Sequence, residues 1–235
     1  MDPVWSQIGQ SGPLGLVMAL CLGLGLAAAT GLRAFLPLLI VAMFSRFHLF
    51  GVNFGEGFAW LESNTALIAL SVAVAAELVL DKIPAVDSAI DVVMTAVRPA
   101  LAAVLVMASF SGADPAIAPL LALIAAPVAL LGHSAKAVTR PAVTVSTGGM
   151  GNPVASVAED GWTLVLTGLA LLAPLLIPVA IVLSIWVIWR VARALRRRMR
   201  DLHRTIGSNL GFFGRRAETI IVEGGSAPED RSPPG

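Results

Sequence analysis

The chain has 235 residues, 57% of them hydrophobic and only 13% charged, with a mean hydropathy of +0.84. Soluble domains carry roughly a quarter charged residues, so a water-soluble protein is excluded. The net charge of +1 hides a segregation: ten of the sixteen Lys and Arg residues lie from Arg190 onward while the acids concentrate in the middle, which excludes nucleic acid as a partner and points to a lipid bilayer.

Crossing the roughly 30 Å hydrocarbon layer takes about 20 mostly apolar residues in a helix. The N-terminal region carries Asp2 and no basic residue before Arg33, unlike a signal peptide, so Pro13–Gly31 is read as a retained first span. Its Gly23/Ala27 and Gly25/Ala29 pairs have the small-xxx-small spacing of close helix packing. Cys21, the single cysteine, excludes a disulfide framework. Residues 33–47 hold an apolar core too short to cross. Spans are then expected at Asn64–Leu80, at Val86–Phe110 through Pro99, and at Pro115–Gly132. Residues 133–160 are long and contain Pro141, Pro153 and the run S-T-G-G-M-G-N-P. Like 33–47 they read as a re-entrant or broken segment, tolerated where protein or a water-filled cavity satisfies the backbone. In Trp162–Trp189, A-P-L-L-I-P marks either a kink or a tight hairpin at Pro174 and Pro178.

The arginines from Arg190 to Arg204 place the C-terminal end in the cytoplasm. If the last region is a hairpin, six spans result, the N-terminus is also cytoplasmic, and Lys82, Arg98, Lys136 and Arg140 fall on that side; a single span would move all four outside. Six is the favoured count. Trp60, Trp162, Trp186 and Trp189 sit at the proposed span ends, where amphipathic rings prefer the headgroup region. G-L-R-A at Gly31–Ala34 resembles S-A-K-A at Ser134–Ala137, and Glu62 with Thr65 resembles Glu159 with Thr163. These matches outline a candidate inverted repeat of residues 13–111 and 115–190. The expected architecture is an all-α polytopic transmembrane bundle over residues 1–200, with about six spans and two short broken segments. Residues 201–235 form a basic extension and then a polar tail too poor in apolar residues to fold.

The densest set of ionisable residues is A-E-L-V-L-D-K-I-P-A-V-D-S-A-I-D-V-V-M-T-A-V-R-P, Ala76–Pro99. Glu77 and Asp81 share a helix face at a spacing of four; Asp87 and Asp91 repeat it past Pro84, with Arg98 two turns on. An acid at mid-membrane costs about 2.5–3.5 kcal/mol, so something compensates: Lys82, Arg98, protons, a divalent cation or water. The plainer reading of Asp87 and Asp91 is that they face cytoplasm and pair with Lys82 and Arg98. The second set is His133, Lys136 and Arg140, followed by Gly148, Gly149 and Gly151, which allow an anion-binding nest for a lipid phosphate or, equally, a flexible loop. Glu159 and Asp160, with Ser156 as capping candidate, favour a helix N-terminus or join the acidic cluster. Arg33 either snorkels to the interface or pairs with one of those acids. His133 alone reads as a loop residue.

Together, G-L-R-A-F-L-P, A-E-L-V-L-D-K-I-P-A-V-D, V-R-P and G-N-P-V-A-S-V-A-E-D resemble the bacterial membrane family called domain of unknown function 4126, over roughly residues 15–190. The resemblance implies a bacterial inner-membrane protein with no assigned activity. It matches at Arg33, Pro37, Glu77, Asp81, Lys82, Pro84, Asp87, Arg98, Asn152, Pro153, Ser156, Glu159 and Asp160, which adds Asn152 to the candidate site. Three functions stay open. The leading one is a small transporter or channel-like protein for a cation or proton-coupled solute. The alternative is a lipid-phosphate enzyme whose Glu77, Asp81, Asp87, Glu159 and Asp160 hold a divalent metal. The third is a scaffold recruited through its basic tail. A homo-oligomer is compatible with all three.

Overall fold

The computed structural model describes residues 12–81, 83–111, 116–194, 196, 197 and 200, with side chains at all of these except 84–89, 138 and 142. Lys82, the side chain of Asp87 and the tail from 201 onward lie outside that set. The described residues are helical, with no strand among them. Met1–Arg190 forms one compact unit and Val191–Gly235 a second; the described part of the second continues as helix through Ala194.

The first helix, α1 (Pro13–Leu32), is the central one, touching α4, α5 and α6. It opens on a proline, where the missing N–H belongs to an unpaired group anyway. From Met18 to Leu32 none of its residues is exposed, which suits a run of glycine, alanine and leucine that lets neighbours approach closely. The tightest approach is at Gly31, where a Cβ would come within 2.5 Å of the Ala129 carbonyl oxygen; Gly132 faces the Gly31 backbone across the same crossing. At Gly25 a Cβ would lie 2.6 Å from Ile177. The small-residue spacing of the first span thus holds at Gly25, while Gly23 makes ordinary contacts.

After Arg33 the chain turns through extended backbone into α2 (Leu36–Arg46), about 16 Å long and too short to cross. Two 3-10 turns, Leu49–Gly51 and Glu56–Glu62, lead into α3 (Asn64–Leu80), bent by 61° from the turn before it and capped by Ser63 Oγ, which accepts from Ala66 N–H. This link is pinned at its far end. Ser45 Oγ donates to Glu62 at 2.6 Å and accepts from Phe54 N–H at 2.9 Å, and Gly55 N–H donates to Ser111 Oγ. α4 (Pro84–Ser111) passes unbroken through Pro99, as expected.

Residues 133–160 depart from expectation. α5 (Ala118–Thr147) is a single 30-residue helix carrying His133, Lys136 and Arg140 and continuing past Pro127 and Pro141. A membrane helix tolerates such prolines because neighbouring groups re-satisfy the freed carbonyls. The glycine run is a helix stop: Gly148, at φ +62°, and Gly149 both donate to the Thr144 carbonyl, and Gly151 N–H donates to Thr147 Oγ1. Those amides turn back onto α5, so no anion nest forms. α6 (Asn152–Leu172) then carries Ser156, Glu159 and Asp160 inside its first half.

The hairpin reading of the last region holds. α6 stops at Ala173, and the next candidate span, α7 (Pro174–Ala194), opens with a 3-10 turn. Trp162 Nε1–H donates to Ser184 Oγ at 2.8 Å; in one continuous helix these residues would stand about 33 Å apart. Trp162 is therefore a helix-to-helix contact, not an interface anchor. Trp186 and Trp189 are half exposed, and the Arg190 guanidinium lies 5.1 Å over the Trp186 ring. Among the described residues five helices are long and apolar enough to cross a membrane, or six if the bent pair Glu56–Glu62 with Asn64–Leu80 is one span.

One expectation about topology is overturned. Arg33, at the end of α1, meets Asp81, at the end of α3, so α1 and α3 run in the same direction. Residues 36–62 bring the chain back between them, and α1 starts at the end of the bundle where α3 starts and α4 stops. The six-span arrangement with both chain ends on one side had put Arg33 and Asp81 on opposite sides. It missed the return because the short α2 and the irregular link carry no span-length apolar run.

Candidate functional site

At the other end of the bundle, five helices bring their charged residues together. Four buried cations, Arg33, Arg98, Lys136 and Arg140, meet five carboxylates: Glu77, Asp81, Asp91, Glu159 and Asp160. Insertion of one such charge at mid-membrane costs about 2.5–3.5 kcal/mol, so burial of this many requires that opposite signs alternate in space, as they do here.

Asp81 is the hub. It sits in the residue after α3, 3% exposed, and its Oδ2 accepts from both Arg33 Nη1 and Lys136 Nζ, the latter at 2.8 Å. Arg140 Nη2 stands 3.9 Å from the same oxygen, and its Nη1 donates to the Asp81 carbonyl. The Gly31–Gly132 crossing explains the convergence: with no side chain between α1 and α5, residues just beyond it, Arg33 and Lys136, reach one carboxylate. Arg33 of G-L-R-A and Lys136 of S-A-K-A both bond Asp81, whereas Glu62 binds Ser45 at the far end.

Arg33 Nη2 also donates to Ser156 Oγ at 2.8 Å and to the Ser156 carbonyl at 3.3 Å. Asp160 Oδ1 lies 2.6 Å from that nitrogen as an ion pair without hydrogen-bond alignment. The snorkelling alternative for Arg33 is therefore set aside; its side chain is fully buried. Ser156 receives an arginine and does not cap a helix. Arg140 grips Glu159 with both arms, Nε to Oε1 at 3.1 Å and Nη2 to Oε2 at 2.7 Å, the fork geometry that makes Arg–carboxylate pairs strong. Asp91 lies 3.8 Å from Lys136 Nζ.

Glu77 occupies a different role. Its Oε1 accepts from Ala34 N–H at 2.9 Å and its Oε2 from Phe35 N–H at 3.2 Å, so a carboxylate on α3 satisfies the open amides ahead of α2, where the helix dipole favours negative charge. Arg98 Nη2 approaches Glu77 at 3.5 Å, while its Nη1 donates to the Gly31 carbonyl at 2.9 Å and to His133 Nδ1 at 3.0 Å. An arginine only donates, so Nδ1 accepts and the ring proton is on Nε2, which reaches Thr95 Oγ1 at 3.0 Å; Thr95 passes its own hydrogen to the Asp91 carbonyl. His133 is 2% exposed and belongs to the network, contrary to the loop reading. The spacing His133, Lys136, Arg140, by three and four, puts all three on one helix face and was the available signal. Thr95 had none beyond its place between Asp91 and Arg98.

Asn152 is buried but bonds Thr144 on α5, joining the helix ends of the turn; it is brought to the edge of the cluster, not into it. Lys82 and the Asp87 side chain lie outside the described residues. Among the described residues no three of His, Cys, Asp and Glu gather as a metal site would require. The four described carboxylates of the expected metal set are each held by cations or amides of the protein: Glu77 by the Ala34 and Phe35 amides, Asp81 by Arg33 and Lys136, Glu159 by Arg140 and Asp160 by Arg33.

Beside the network lies a cavity of about 120 Å3 between α3 and α4, with Ala73, Ala76, Leu80, Ile90 and Met94 in its lining beside Glu77, Asp81 and Arg98. It exists because α3 is loosely held: Val74 and Glu77 are its buried residues, and Ile68, Val72 and Val79 are more than half exposed.

Long apolar helices with a shielded charge network at one end define a polytopic helical membrane protein. The chain matches the family described as Domain of unknown function (DUF4126) over residues 20–194 and belongs to it. No curated protein and no solved structure matches it.

Proposed function

We propose that this is a small transport protein of the bacterial inner membrane, moving a cation or a proton-coupled small solute with the buried carboxylates as coupling groups. The observation that carries the reading is the cavity between α3 and α4, whose lining includes Glu77, Asp81 and Arg98. Ionisable groups inside membrane segments are costly to retain, and those that face a cavity mark ion and substrate pathways. Here the network offers exchangeable pairings. Asp81 is shared by two cations on different helices, and Glu77 touches Arg98 only at 3.5 Å, so one proton or ion arriving at either carboxylate changes which helices are tied together. The arginines from Arg190 onward close α7 and follow it in the sequence, and under the positive-inside bias we read the C-terminal end of α7 as cytoplasmic.

The reading as a metal-dependent lipid-phosphate enzyme needs carboxylates grouped around one ion, and no observation among the described residues favours it. The scaffold reading predicts that truncation after Arg200 abolishes function. The transport reading predicts retention. The direct test is purified protein in liposomes, assayed for proton and solute flux. Protein-dependent flux that falls at least tenfold in Glu159→Gln supports transport, and flux indistinguishable from empty liposomes under every gradient overturns it.

A further inference from the structure

The strongest run of like charge in the chain comes at the end of the last span. From Arg190 to Arg200 the sequence holds six arginines, and the first acid after Asp160 is Asp201. The described residues there are helical: α7 reaches Ala194, and Arg200 Nε donates to the Arg196 carbonyl four residues back. At about 100° of turn per residue, Arg193, Arg196, Arg197 and Arg200 fall within about 100° of arc. All four are exposed. Val191, Ala192 and Ala194 lie on the other side of the helix, so the charge forms a stripe and not a collar. Arginines three and four apart on one face repel one another, and an anionic surface laid against the stripe relieves that repulsion.

Its place in the chain decides what that surface is. The stripe begins inside α7, a candidate span, just past Trp186 and Trp189. Both are half exposed, and amphipathic rings at a span end prefer the headgroup region. The Arg190 guanidinium already lies 5.1 Å over the Trp186 ring. Arg193 follows Trp189 by about 6 Å of helix rise, inside the roughly 8–10 Å over which charges act at ordinary salt. We infer that the stripe of Arg193, Arg196, Arg197 and Arg200 binds the phosphates of anionic phospholipids and gathers those lipids around the end of α7. The planar guanidinium fork suits phosphate oxygens, and an exposed basic helix face next to a span is the arrangement that takes up anionic lipid. The inference goes beyond the transport reading and does not rest on it.

The test uses the full chain in phosphatidylcholine bilayers. Spin-labelled phosphatidylglycerol and spin-labelled phosphatidylcholine are added in turn, and electron paramagnetic resonance reads the fraction of each held at the protein surface. A basic residue close to an anionic headgroup strengthens attraction roughly fivefold, so at low salt the phosphatidylglycerol probe is expected to associate at least about threefold more strongly. At about 1 M salt, where screening acts within roughly 3 Å, the preference is expected to fall below about 1.5-fold. The variant carrying Arg193→Gln, Arg196→Gln, Arg197→Gln and Arg200→Gln together is expected to lose the preference likewise. Arg46→Gln, which removes an exposed arginine of α2, is expected to keep it. Equal association of the two probes with the unaltered protein, or a preference that survives either the high salt or the combined substitution, overturns the inference. A loss as large in Arg46→Gln also overturns it, because the preference would then belong to diffuse charge and not to the stripe. The salt comparison needs no variant, so it decides even where the substituted protein fails to fold.

Discussion

Replacing Asp81 by Asn preserves shape and removes one charge from the point where Arg33 and Lys136 meet. At the observed 2.8 Å between Lys136 Nζ and Asp81 Oδ2, Coulomb attraction at an effective dielectric of about 20 is about 6 kcal/mol. Most of that offsets the cost of taking both ions out of water, so the pair's net worth is far smaller, but removal of one partner leaves the other buried without its match, which costs about 3–5 kcal/mol. Asp81→Asn and Lys136→Met are each expected to destabilise by that amount, in a titration with denaturing detergent followed by tryptophan fluorescence. The double variant is expected to fall short of the sum by about 1–3 kcal/mol, as contacting groups in one network do. Costs that add to within about 0.5 kcal/mol would show that the two side chains do not interact, and the hub role of Asp81 would be wrong.

Gly31→Ala forces a Cβ to within 2.5 Å of the Ala129 carbonyl oxygen, and such overpacking costs about 1–3 kcal/mol; Gly168→Ala, where nothing lies within 4 Å, should be neutral or slightly stabilising in the same unfolding titration. Gly148 stands at φ +62°, so Gly148→Ala is expected to cost about 1 kcal/mol, and an unchanged unfolding midpoint would rule out the left-handed cap. Cysteines placed at the exposed positions Gly12, just ahead of α1, and Glu56, in the turn ahead of α3, should react with a membrane-impermeant maleimide from the same face, and one at Met150 from the opposite face. Labelling of positions 12 and 56 from opposite faces would contradict the parallel course of α1 and α3.

The span-forming helices were legible because the lengths of apolar runs are set by bilayer thickness, and the charged set because residues three or four apart share a face. Glu77 with Asp81, and Lys136 with Arg140, could be read that way before any coordinates. What the sequence hid was long-range. The parallel course of α1 and α3 depends on an 11-residue helix and a link with no span-length apolar run, and the partners of Arg33 lie 48 and 123 positions away. Residues 133–160 read as broken because proline and glycine usually interrupt helices. In α5, Pro141 sits inside the helix and the glycines merely end it. Taken alone, His133 reads as a loop residue; its phase with Lys136 and Arg140 is the signal that places it in the network.

The central claim is that the sheltered carboxylates at one end of the bundle, and not acidic residues in general, carry movement across the membrane. The decisive measurement is proton and solute flux in liposomes for Asp81→Asn beside Glu62→Gln, whose carboxylate binds Ser45 at the opposite end. The account predicts at least a tenfold loss in the first and the wild-type rate in the second. Equal rates in both proteins would contradict it.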